Sequence, residues 1–251
     1  MRIFIGCSLA DAGYNPTDLK LFDDSQALRW LFLFPHPDDE IALAAWINHL
    51  VKSGVAVRCV WLHSTPVRRA ESEAAMKLLG VEQFSFLNFE DGGFVKAIPK
   101  MLSSITDVVS EFEPDRIVTT AFEQGHLDHD ATNYVASLVG DYATLEFPMY
   151  HSYDRKLQTV NRFVEPLSGE ARLLTEEDRK LRRAVLKFYK SQRIGKILNF
   201  YDRWIDSDVI RFEKLRVANH SYSEPVGDDK RRVRLRRSAK WKIWLDAIQP
   251  K

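Results

Sequence analysis

Two short stretches concentrate the residue types that hold metal ions and move protons. They are His36-Pro37-Asp38-Asp39-Glu40 and Gly125-His126-Leu127-Asp128-His129. A histidine and a carboxylate three residues apart can converge on one cation where the chain turns, and Pro35-His36-Pro37 marks a break. Asp38, lying between them, must then point elsewhere, toward whatever the cation binds. His36, Asp39 and His129 would form a two-histidine, one-carboxylate set with a position left for water. That composition belongs to catalytic zinc sites rather than closed structural ones. Each stretch alone has an ordinary explanation: acids ahead of a helix favour its N-terminus, and most single histidines are plain polar residues. From average composition, however, the first pentapeptide arises by accident about once in 10⁴ chains of this length. The second motif beside it makes coincidence a poor account.

The elements around these stretches decide whether they can meet. Leu31 to Phe34 is an unbroken apolar run, the pattern of a strand buried on both faces. A helix pattern follows from Ile41 to about Val51, closed by Gly54. Val55 to Leu62 reads as a strand, Val67 to Leu79 as a helix ending at Gly80, and Gln83 to Leu87 as a short strand. Pro99 to Phe112 reads as a helix with proline in its first turn, Arg116 to Thr120 as a strand, and Ala131 to Leu138 as a helix. Leu145 to Tyr150 adds a further strand. This alternation predicts an α/β fold, a Rossmann-like three-layer sandwich with a mostly parallel sheet and a C-terminal extension. In such sheets sites form in loops at the carboxyl ends of strands, and both motifs directly follow a predicted strand. No dinucleotide or P-loop glycine motif follows any strand.

The division expected is a lead-in over 1–28, an α/β catalytic core over 29–160 carrying both motifs, and a helical, basic extension over 161–251 completing the same domain. In the extension, Thr175-Glu176-Glu177-Asp178 reads as a helix start, with the helix running to about Gln192. The length of 251 residues, 45% hydrophobic and 28% charged content suit a globular protein. A formal net charge of +1 provides no general attraction to nucleic acid, and none is expected as partner. Cys7 and Cys59 make neither a disulfide framework nor a zinc finger and fit a reducing, cytoplasmic setting. The apolar start is cut short at Asp11, and no stretch approaches the roughly 20 apolar residues of a membrane span.

With both motifs intact, the stretch from Leu31 to Ala136 resembles the LmbE/PIG-L-type deacetylases. Arg68, Glu71, Ala74, Ala75, Leu79 and Gly80 match a helix pattern of that family, and Asp91-Gly92 matches its Asp-Gly turn. The resemblance implies a metal-dependent N-deacetylase acting on an N-acetylglucosamine-type sugar conjugate. It implies His36, Asp39 and His129 as ligands of Zn²⁺, or of Fe²⁺ or another divalent metal in its place. Asp38 would be the general base, and His126 would stabilise the oxyanion or protonate the leaving amine. Asp128 would orient or tune a histidine, and Arg68 and Asp91 would contact the sugar; spacing favours Arg68 over Arg69. Amide hydrolysis calls for such parts: zinc lowers the pKa of a bound water to about 7, a base takes its proton, and the amine leaves after protonation.

Other features carry weaker readings. His63 and His151 lie near strand ends, where ordinary polar loop roles suffice, and His49 and His220 attract no functional reading. Tyr189, Ser191 and Gln192 match a Tyr-x-Ser-Gln element of many relatives, although packing explains Tyr189 equally well. Lys230 to Lys242 alternates basic and apolar residues, which fits an exposed edge strand guarded by charge better than a peripheral membrane or polyanion contact. Two rival functions remain at this point: a metal-dependent esterase or other small-molecule hydrolase, and a non-catalytic relative docking through Lys230 to Lys242.

Overall fold

The computed structural model describes residues 20–25, 27–151, 158–165 and 169–249. Most of the expected lead-in, with Cys7, lies outside the described residues. The first strand, β1 (Arg29–Phe34), is followed by a 3-10 turn over Asp39–Leu43 and helix α1 (Ala44–Lys52). Then come β2 (Ala56–Trp61), α2 (Pro66–Leu79), β3 (Gln83–Phe86), α3 (Phe94–Phe112), β4 (Arg116–Thr120), α4 (Leu127–Ala136) and β5 (Ala143–Phe147). The second half contributes a small ribbon, β6 (Tyr150–His151) with β7 (Thr159–Val160), then β8 (Glu170–Leu173), α5 (Glu176–Leu186), α6 (Ile194–Trp204) and α7 (Asp208–Arg211). Strand β9 (Phe212–Val217) and helices α8 (Asp229–Arg236) and α9 (Ala239–Ile248) complete it.

The main sheet has seven strands in the order β3-β2-β1-β4-β5-β9-β8. The five from β3 to β5 pair in parallel, whereas β9 runs antiparallel to both β5 and β8. This is the α/β architecture expected, with helices on both faces. The apolar run of β1 now has its reason. Trp30, Phe32 and Phe34 enter one core with α1, α2 and α5, while Leu31 and Leu33 enter the other with α3, α4 and α9. A strand buried on two faces cannot alternate polar and apolar residues.

The chain leaves β1 toward β2 on one side and, after β3, crosses to β4 on the other side of β1. The β1/β4 junction is therefore the point where the strand order reverses, and a crevice opens there beyond the carboxyl ends of the strands. Both motifs emerge at this junction, one after Phe34 and one after Thr120.

Several element boundaries differ from the sequence expectations for local reasons. Helix α3 starts at Phe94 rather than Pro99, because Phe94, Val95, Ile98 and Met101 form a buried stripe that continues upstream of the proline. Helix α4 starts at Leu127, inside the second motif, with the His126 ring capping it. Helix α5 starts where expected, with Thr175 and Asp178 forming a capping box, but it stops at Leu186, and a separate α6 follows. The 161–251 extension is not only helical and basic, since β8 and β9 extend the main sheet.

The edge-strand reading of Lys230 to Lys242 is overturned: the segment forms α8 and α9. Side chains of Asp228 and Ser238 cap these two helices by accepting from the backbone N–H groups of Arg231 and Trp241. Arg231 and Leu235 are buried at i,i+4, and Trp241 and Trp244 at i,i+3, which is helical rather than strand spacing. Among the described residues no helix is long and apolar enough to cross a membrane.

Candidate active site

The first motif turns through a strained residue. Asp38 holds φ at 105°, a left-handed conformation costly for a residue with a β-carbon. Two contacts hold it there: the Asp38 N–H donates to Glu40 Oε2 at 2.9 Å, and Arg68 donates to the Pro37 carbonyl. The turn separates the directions of adjacent carboxylates. Asp39 folds back to accept from the His36 N–H at 2.9 Å, while Asp38 faces Arg68, with 3.0 Å between Oδ1 and Nη2. Glu40 is fully buried beneath the turn and accepts from Trp61 Nε1–H at 3.2 Å, Ser72 at 3.2 Å and the Tyr189 hydroxyl. The last residue of the pentapeptide is thus an anchor that ties the turn to β2, α2 and the segment after α5.

The second motif reaches the first through a close backbone approach. A β-carbon at Gly125 would stand 2.4 Å from the Tyr150 carbonyl oxygen, so only glycine lets this loop pack against β6. Beyond it, His129 Nε2 lies 3.7 Å from Asp39 Oδ1, and His36 Nδ1 lies 3.7 Å from Asp39 Oδ2. Ligand atoms of His36, Asp39 and His129 all fall within 4.8 Å of one another. Tetrahedral zinc with bonds of about 2.0–2.1 Å separates its ligands by about 3.4 Å, and each histidine stands within a few tenths of an ångström of that spacing from Asp39, at 3.7 Å.

The charge distribution also suits a cation. Burial and the neighbouring His36 and His126 hold His129 far below the ordinary imidazole value, at about 3, leaving it neutral and able to ligate. Burial opposes a charge on Asp39, but hydrogen bonds from His36 and the positive charge of that imidazole outweigh it and hold the carboxyl at about 2. Burial opposes a charge on His36, but hydrogen bonds to Asp128 and Asp39 and the charges of Asp39 and Asp91 raise it to about 10. A ring among so many carboxylates marks a place where positive charge is stabilised. The buried histidine and carboxylate donors therefore fit a divalent metal. His36 Nε2 faces Asp91 Oδ1 at 3.1 Å and Asp128 Oδ2 at 3.3 Å, so Nδ1 is the nitrogen free to turn toward the cation. Carboxylates on the far nitrogen of a ligating histidine fix its tautomer and orientation.

Asp128 also accepts from the backbone N–H groups of Gly92 at 2.7 Å and Phe94 at 3.2 Å, tying the Asp91-Gly92 turn to the site. His126 Nδ1 accepts from the Asp128 N–H at 3.2 Å, which leaves Nε2 as the protonated nitrogen of a neutral ring. Burial and the neighbouring His36 lower its pKa, in the same direction as this contact. His126 is accordingly a neutral N–H donor at rest. Asp38 is raised well above the carboxylate range, by burial first and then by the adjacent Asp39, with Arg68 opposing.

These groups open on one cavity of about 380 Å³, whose lining includes His36, Asp38, Asp39, Arg68, Asp91, His126 and His129. Arg69 points away, to Asn88 and over the Phe86 ring. Asp128 is buried behind the lining. His63 bonds the Phe89 carbonyl at 2.8 Å, His49 pairs with Asp24, and His220 sits on Glu146. His151 approaches the Arg162 carbonyl at 3.2 Å. Ser191 binds Glu71, while Gln192 lines the cavity. Sequence reasoning missed Tyr150, Asn161 and Arg182, together with the apolar wall of Ile194, Ile197 and Leu198. Only Arg182 left a signal: it shares the buried stripe of α5 with Val185 and Leu186, where a cation is out of place.

Residues 31–139 match the model of the PIG-L family, described as GlcNAc-PI de-N-acetylase. An uncharacterized deacetylase of Escherichia coli K12, YaiS, is 31% identical over 117 residues, 41% of this chain and 63% of that relative. The chain thus spans somewhat less than two thirds of that relative's length. The solved structure of the A40926 pseudoaglycone deacetylase Dbv21 superimposes with a TM-score of 0.58 at 18% identity, covering 77% of this chain and 99% of that one. The N,N'-diacetylchitobiose deacetylase of Pyrococcus horikoshii gives a TM-score of 0.50 at 20% identity, covering 77% and 84%. At such identities these structures establish a common fold.

Proposed function

We propose that the protein is a metal-dependent N-deacetylase that hydrolyses the N-acetyl group of an N-acetylglucosamine-type sugar conjugate, with Zn²⁺ as the preferred ion. The observation that carries this reading is the convergence of His36, Asp39 and His129 on one spot in the wall of an open cavity. The family match and the deacetylase names among the structural neighbours support it. His36, Asp39 and His129 would hold the ion. Bound there, a divalent cation supplies Lewis acidity that polarises a carbonyl and acidifies water.

The chain's own residues do the rest. Asp38, oriented by Arg68, takes a proton from the attacking water as its oxygen bonds to the acetyl carbon. The His126 Nε2–H donates a hydrogen bond to the oxyanion that develops on the former carbonyl oxygen. When the C–N bond breaks, the amine nitrogen receives a proton held at Asp38 or His126, and acetate and the free amino sugar leave. Arg68 and Asp91 bind hydroxyls of the sugar, and Asp128 keeps His36 in its ligating orientation. A reducing, cytoplasmic setting belongs to the same reading and rests on cysteine usage alone.

The direct test measures acetate released from a panel of N-acetyl amino sugars by protein stripped with chelator and reloaded with Zn²⁺ or Fe²⁺. Activity that appears only on reloading is the expected result. Equal turnover of simple acetyl esters, with none of the N-acetyl sugars, would replace the amidase assignment by an esterase.

A further inference from the structure

A second cavity, of about 180 Å³, lies behind the loop that carries the second motif. The loop is a thin partition between two spaces: His126 and His129 line the active-site cavity, whereas Gln124, Gly125, Leu127 and Asp130 line the second. Helices α8 and α9 build its other wall, through the buried Leu235, Trp241 and Trp244. The Trp244 indole is held by its Nε1–H, which donates to the Tyr222 carbonyl at 2.8 Å. A mainly apolar hollow with a few placed polar groups is the usual form of a small-molecule site. Two polar atoms of this lining have no partner among the described residues. Gln124 Oε1 accepts from the Val226 N–H at 3.0 Å, but its Nε2 is buried with no acceptor. Asp130, 2% exposed, spends Oδ1 on the N–H groups of Glu123 at 3.2 Å and Gln124 at 2.8 Å, and no described residue donates to Oδ2. The bond to the Gln124 N–H keeps that carboxyl beside Gln124. A buried donor left without an acceptor is costly. One water could meet both atoms, but the volume has room for several, and each would need two to four polar partners.

We infer that this second cavity is a binding site for a small planar aromatic carboxamide. Its ring lies against Trp241 and Trp244, its carbonyl accepts from Gln124 Nε2–H, and its NH₂ donates to Asp130. The carboxamide group carries acceptor and donor on adjacent atoms, which is what one unmet donor beside one unmet acceptor asks for. A carboxylate in its place would face the Asp130 carboxyl. An ammonium would leave the Gln124 amide unmet and would meet Lys240 on the same lining. A saturated ring would lose the flat contact that indoles favour. None of these contacts involves His36, Asp39 or His129, so the site stands whether or not the protein is a deacetylase.

The test titrates the full chain with benzamide, read by calorimetry and by tryptophan emission, with benzoate and cyclohexanecarboxamide as comparison compounds. Benzamide should bind saturably at one equivalent and change the emission. Both comparison compounds should bind about tenfold more weakly, the effect of one mismatched polar contact or of the lost ring. Gln124→Leu should weaken benzamide about tenfold for the same reason. Leu235→Trp, which puts an indole into the cavity, should abolish its binding and serves if the first variant fails to fold, as checked by circular dichroism. Absence of saturable benzamide binding overturns the site. So does equal or tighter binding of either comparison compound, or an affinity for benzamide left unchanged in a folded variant.

Discussion

Adjacent carboxylates in this protein differ because the backbone separates them. Asp39 points back into the chain, where His36 keeps it ionised, while Asp38 faces Arg68 from a left-handed turn. The two should therefore fail differently when altered. Asp38→Asn is expected to retain zinc at one equivalent and lose 10²- to 10⁴-fold in kcat, the range for removing a general base. His129→Ala removes a ligand and should lose the metal itself, read by elemental analysis after gel filtration. An Asp38→Asn protein with full turnover would remove Asp38 from the mechanism. One carrying no zinc would make it a ligand instead.

Elements matter here through where they touch. The loop ahead of α4 packs on β6 without room for a β-carbon, and this contact delivers His126 and His129 to the first motif. Gly125→Ala should force the loop outward, at a cost of about 1–3 kcal/mol in stability. It should also lower kcat by more than tenfold, as seen by comparing denaturant midpoints with turnover. Below the first motif, the Tyr189 hydroxyl reaches Glu40 from well over a hundred residues away. Tyr189→Phe leaves that buried carboxylate short of a donor, and about 1–3 kcal/mol of destabilisation is expected. An unchanged melting temperature would show that the anchor does not need the hydroxyl.

For the molecule as a whole, buried carboxylates outside the site shape the response to pH. Burial raises Glu213 to about 7, with Arg182 and Arg172 opposing, against an ordinary value of 4.5. Between those values the folded chain holds a proton that the unfolded chain has lost, so this group's contribution to stability falls as pH rises from about 4.5 to 7 and is level beyond. The size is on the order of 3 kcal/mol, from 1.36 kcal/mol per unit. Glu213→Gln should remove this slope from chemical denaturation curves across the window, whatever it does to the absolute stability. A slope identical to that of the parent protein would mean that Glu213 ionises in the fold as it does in water.

The amino-acid sequence by itself determined what is local. Donor types and their spacing, the glycine and proline breaks, and the two-faced apolar run of β1 were all legible, because each is set by neighbours a few residues apart. The parallel core followed from their alternation, and with it the expectation that both motifs emerge at carboxyl ends of strands. Tertiary structure decided what depends on distant surfaces meeting. The strand order that puts the β1 and β4 loops side by side, the β8 and β9 edge, and the arrival of α6 and Arg182 at the cavity wall are of this kind. So is the helical fate of Lys230 to Lys242, where capped ends and buried tryptophans prevailed over an alternating pattern. Periodicity records which face of an element is apolar; which other element covers that face is settled only when the whole chain buries its apolar surface at once.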